Sequence, residues 1–64
     1  MNRNLLTVSE VSKFLNISRC YVFKLIKSGQ MPAVRIGKLL RVSQTDLQRF
    51  IKNHRTEVQN GRQN

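Results

Sequence analysis

One short pattern occurs three times in this chain and limits the folds open to it. An apolar residue is followed by Ser or Thr, and a second apolar residue stands four positions after the hydroxyl. The copies are Leu6-Thr7…Val11, Ile17-Ser18…Val22 and Val42-Ser43…Leu47. A hydroxyl at the N-cap accepts from an early backbone N–H of the helix, while the flanking apolar pair staples the entry of the chain. Each copy therefore predicts a helix start. Two of them also carry an acid at N3, Glu10 and Asp46, which completes a capping box. The middle copy has Tyr21 there instead. A helix N-terminus is a partial positive pole that attracts anions. Two readings of Tyr21 stand: a pole left free for phosphate, or an optional box left incomplete.

Helical spacing then sets the elements. A first helix is expected from about Val8 to Leu15, with Val8, Val11, Phe14 and Leu15 inward. A second should run from about Arg19 to Ser28, with Val22, Leu25 and Ile26 inward and Gly29 as its stop. Only Asn16, Ile17 and Ser18 separate them, which makes a tight turn. Ala33 to Val42 alternates as a hairpin. A three-residue loop, Gly37-Lys38-Leu39, would turn Val34, Ile36, Leu40 and Val42 inward together. Arg35 and Arg41 would then share the outer face, with Lys38 at the tip. A third helix is expected from about Gln44 to His54, carrying Leu47, Phe50 and Ile51 inward. The fold class is thus mainly α with a small β-hairpin, in the order helix, helix, hairpin, helix.

With 64 residues there is one domain, expected over 1–54, and a small core. Residues 55–64 are polar and aperiodic, which predicts a disordered basic tail. Twelve Lys and Arg against three acids give a formal charge of +9. No acid occurs between Glu10 and Asp46, an interval holding Lys13, Arg19, Lys24, Lys27, Arg35, Lys38 and Arg41. The middle of the fold is the positive part, which points to nucleic acid as partner. The lone Cys20 excludes an internal disulfide and suits the cytoplasm. No stretch approaches a membrane span, so no membrane partner is expected. One His, one Cys and three acids, two of them in caps, leave no inventory for an enzyme, a metal site or a cofactor.

The run from Leu5 to Ile51 resembles the excisionase family, which is related to the DNA-binding domains of MerR-like regulators. The matching elements are Thr7 to Val11, Ile17 to Val22, the GQMPAVRIG stretch from Gly29 to Gly37, and Arg41-Val42. The chain departs from the family pattern at Tyr21, where Thr is frequent, and at Phe23, where Tyr or Trp is. The resemblance implies a winged helix-turn-helix that binds double-stranded DNA. It also implies a wing that enters the minor groove or grips its backbone. Such a protein would bend element-end DNA and favour excision by a tyrosine-type integrase, with neighbouring copies of itself on adjacent sites. A small MerR-like or AlpA-like transcriptional regulator is the alternative on the same fold. Either would act in the cytoplasm, on the nucleoid.

The second helix supplies the candidate contacts. With Val22, Leu25 and Ile26 inward, Cys20, Lys24 and Lys27 fall on the opposite face, and Arg19 stands in the first turn. Early residues of such a helix meet base edges in the major groove. Arg19, Cys20, Tyr21 and Lys24 are the base-reading candidates, while Ser18, Tyr21 and Lys27 suit phosphates. Cys20 can equally be a small incidental residue, and Phe23 a cover for the core edge. Arg35, Lys38 and Arg41 form the candidate wing. Leu39 either packs back on the domain or touches a neighbouring protein or sugar.

Overall fold

The computed structural model describes residues 4–56. A short strand, β1 (Leu5–Thr7), leads into α1 (Val8–Leu15) and α2 (Arg19–Lys27). The hairpin β2 (Val34–Ile36) and β3 (Leu39–Ser43) follows, and then α3 (Gln44–Asn53). The fold class is that of a winged helix-turn-helix: three helices and a small antiparallel sheet of order β1-β3-β2. Ser28 and His54, each expected as a last helical residue, are instead the C-caps of α2 and α3.

All three N-caps form. Thr7 Oγ1 accepts from Glu10 N at 3.0 Å, and Thr7 N donates to Glu10 Oε1 at 2.9 Å, a complete capping box. Ser18 Oγ accepts from Tyr21 N, and Ser43 Oγ from Asp46 N, each at 3.0 Å. The reciprocal bond is confined to α1; Asp46, one methylene shorter than Glu, does not return it.

The ends of α1 and α2 share one geometry. Asn16 adopts φ 60° and Gly29 φ 83°, the left-handed region. Asn16 N then donates to Lys13 O and Ile17 N to Ser12 O, while Gly29 N donates to Ile26 O and Gln30 N to Leu25 O. Both are Schellman closures, which satisfy the last carbonyls and reverse the chain within two residues. The first makes the tight turn between the helices. The second delivers Met31 into the core, where it is fully buried.

Val8, Val11, Val22, Leu25, Met31, Val42 and Leu47 form that core, with Leu6, Leu15, Ile17, Ile26, Leu40, Phe50 and Ile51 packed around it. Phe14 does not join, being 63 % exposed. The buried stripe of α1 runs instead through Val8, Val11 and Ser12, whose hydroxyl donates to Ser9 O at 2.8 Å and so enters the core satisfied. Phe14 lies about 100° from the centre of that stripe.

The hairpin corrects the expected register. Val34 pairs with Arg41, Arg35 with Leu40 and Ile36 with Leu39, so the loop is the two residues Gly37-Lys38. Gly37 has φ 64° and Lys38 does not share a positive φ. That combination fits a type II′ turn, which takes glycine first and matches the twist of the strands. Turn geometry thus outweighs the burial of two apolar residues. Val34 and Ile36 turn outward with Leu39 and remain exposed. Arg35 comes to the inner face with Leu40, and Arg41 goes to the outer one. The two arginines therefore do not share a face.

The strand β1 was not expected from the sequence. It pairs Leu6 with Val42 and Thr7 with Arg41, which joins the start of the fold to the hairpin. Gln44 N donates to Asn4 O at 2.7 Å and extends that seam to the start of α3.

Candidate nucleic-acid interface

Two inward residues of α2, Val22 and Leu25, fix its orientation by being buried. Ile26 is half-buried beside them. The turn of 100° per residue then carries Cys20, Lys24 and Lys27 to the outward face, and Arg19, in the first turn of the helix, is exposed with them. Ser18 and Tyr21 are exposed too, joined by the N-cap hydrogen bond from Tyr21 N to Ser18 Oγ. The first turn of α2 contains no acid, whereas Glu10 and Asp46 occupy that position in α1 and α3. The positive pole of α2 is thus left open toward solvent, flanked by Arg19. Cys20 is a free, exposed thiol on the same face.

The wing residues separate. Arg35 lies beside α2, lining an open cleft with Phe23, Ile26, Lys27 and Leu40. Lys38 occupies the tip of the hairpin, exposed between Ile36 and Leu39. Arg41 is half-buried on the opposite face of the sheet, and its Nη1 donates to Leu40 O at 2.9 Å. The structure therefore gathers Ser18, Arg19, Cys20, Tyr21, Lys24, Lys27 and Arg35 around α2, with Lys38 beyond them, and leaves Arg41 out. Leu39 is 53 % exposed and does not pack back on the core.

Phe23, for which the sequence suggests only a cover over the core edge, stands at this surface. It is 47 % exposed and lies on the flank of α2 that faces the hairpin. The 100° spacing of α2 puts Phe23 on a flank, and the register of β2 decides what stands opposite it. The other flank of α2 meets α3 across a groove lined by Leu15, Ile17, Tyr21, Leu25, Gln30, Phe50 and His54. There the His54 ring stacks on Phe50 at 4.1 Å, and its Nδ1 donates to Phe50 O at 2.9 Å, so His54 closes the end of α3. Among the described residues no cluster of three or more His, Cys, Asp or Glu could hold a metal ion. No helix among them is long and apolar enough to cross a membrane.

The sequence model of the helix-turn-helix domain matches residues 5–55, which spans every element described above. The chain belongs to this helix-turn-helix domain family. Among relatives of this helix-turn-helix domain, an uncharacterized Bacillus subtilis protein, YvgK, is 41 % identical over 49 residues, covering 77 % of this chain and 16 % of its own length. A Mycobacterium tuberculosis protein named "Putative DNA-binding protein Rv0500A" is 45 % identical over 38 residues, or 59 % of this chain and 49 % of its own. A "Probable excisionase" of Saccharopolyspora erythraea is 46 % identical over 44 residues, or 69 % of this chain and 45 % of its own. The resemblance to the excisionase family read from the motifs has its counterpart in that relative. This chain spans less than half the length of each of the three. No solved structure matches it.

Proposed function

We propose that this chain is a non-catalytic, double-stranded-DNA-binding protein that lays α2 in the major groove. The observation that carries this reading is the outward face of α2. Its cap and first turn are free of acid, and Arg19, Lys24 and Lys27 stand exposed on a helix anchored in the core by Val22 and Leu25. Arg19 and Lys24, nearest the N-terminal end, read base edges together with Cys20 and Tyr21. Ser18, Lys27 and Arg35 hold phosphates, and Lys38 reaches the next groove from the wing tip.

At the level of biological output, the protein acts as an excisionase. Several copies occupy adjacent sites at the end of an integrated element, bend the duplex, and favour excision by a tyrosine-type integrase. The single short recognition helix supports this, since alone it reads too few base pairs to find one genomic site. Two measurements test the reading. Selection of duplexes from a random pool should enrich one motif, and footprinting on element-end DNA should show repeated protection with a bend on circularly permuted probes. A free dimer bound once to an unbent palindrome would instead assign the chain to transcriptional regulation of the MerR-like or AlpA-like kind.

A further inference from the structure

The register of the hairpin brings Arg35 to the α2 side of the sheet, and it does not arrive at an empty wall. Arg35 and Leu40 face Phe23, Ile26 and Lys27 across an open cleft of about 370 Å³. A water molecule's share of liquid volume is about 30 Å³, so the cleft has room for far more than a lone ion. Two cations from different elements, both exposed, stand at its rim, and its floor is aromatic and aliphatic. No acid lines it. The acids among the described residues are Glu10 and Asp46, both in first turns of other helices. Like charges beside an apolar floor gain from an anion placed between them. An apolar ring left half-exposed gains from a neighbour with a C–H-rich face. One small unit offers both: a phosphate with its deoxyribose.

We propose that the cleft between α2 and β2 seats a single deoxyribose-phosphate unit of the DNA backbone. Lys27 and Arg35 hold its phosphate together, and Phe23 and Leu40 pack its sugar. Arginine supplies a planar fork and lysine a point charge, so the two can share one phosphate from different sides. The seat lies where a strand leaves the groove occupied by α2 and passes toward the wing tip. It fixes the angle between recognition helix and DNA, a positioning role distinct from base reading. Arg35 thereby serves the backbone rather than the minor groove, which is left to Lys38. This inference rests on the reading of the chain as a DNA-binding protein.

The test is a scan of a duplex recovered by selection, in which each phosphate in turn is replaced by an uncharged methylphosphonate. For the wild-type protein, one position should cost about tenfold or more in affinity, as loss of a charge-assisted contact does. At that same position Lys27→Gln and Arg35→Gln should each show a smaller penalty, and the double variant none. Arg41→Gln, whose side chain lies on the far face, should keep the full wild-type penalty there. Phe23→Ala should weaken binding, and Phe23→Leu should restore most of it. Circular dichroism checks that each variant folds, which is expected because Phe23, Lys27 and Arg35 are surface positions. Penalties that map Lys27 and Arg35 to two different phosphates, or that neither variant relieves, overturn the shared seat while leaving DNA binding intact. If no duplex is enriched at all, the DNA-binding reading falls and this inference falls with it.

Discussion

Asn16 holds φ at 60°, a conformation that costs most L-residues about 1–2 kcal/mol and that Asn tolerates well. The turn between α1 and α2 depends on it, because its N–H and that of Ile17 close the end of α1. Asn16→Gly should therefore be nearly neutral in a urea melt, and Asn16→Val should lower stability by about 1–2 kcal/mol. Gly37, at φ 64° in the hairpin turn, obeys the same logic, so Gly37→Ala should destabilise although open space surrounds it. Met31 is a different kind of residue: its N–H donates to Leu25 O at 3.1 Å, and its side chain is fully buried and held by packing. Met31→Ala should cost about 2–5 kcal/mol, a large share of what a domain this small possesses. A variant melting within a few degrees of wild type would show that Met31 is not the core residue described here. Nothing in the periodicity marked Met31, since it lies beyond Gly29 in a stretch with no repeat; only the Schellman closure of α2 aims it inward.

At the scale of elements, the helices were legible and the sheet was only partly so. Each helix start is written locally, as a hydroxyl, an apolar staple and in two cases an acid, and local signals do not depend on what packs against them. The bounds of α1 follow directly. The hairpin register is not local in that sense. Val34, Ile36, Leu40 and Val42 alternate correctly for either loop length, and Gly37 at the first turn position was the signal that favours the shorter one. The strand β1 is three residues long and carries too little pattern to be seen. The same contrast governs the candidate site: the outward face of α2 follows from its wheel, whereas the place of Arg35 waits on the register. Two predictions belong here. Thr7→Ala, which removes half of a reciprocal box, should cost about 1 kcal/mol, and Ser43→Ala a similar amount or less. Thermal melts unchanged by both would contradict the caps. Arg19→Ala and Lys24→Ala should each cost about 1–3 kcal/mol on a selected duplex and much less on random DNA. Equal losses on both would place these residues on the backbone rather than on bases.

The whole molecule carries a formal charge of +9, and the folded chain does not spread it evenly. Arg19, Lys24, Lys27, Arg35 and Lys38 stand on or beside the α2 surface, while Arg49, Lys52 and Arg55 line a separate cleft on α3. In the docking proposed through α2, the first group is the one set against the duplex. Each phosphate neutralised releases condensed counterions, so affinity should depend on salt in proportion to the number of cations engaged. The decisive measurement is the affinity for a selected duplex between about 50 and 200 mM salt, read by fluorescence anisotropy. The cations set on the backbone predict a clearly negative slope of log affinity against log salt, shallower by about 1 for Lys38→Ala and unchanged for Arg49→Ala. A slope near zero, or one that Arg49→Ala reduces and Lys38→Ala does not, would contradict binding through α2 and its wing.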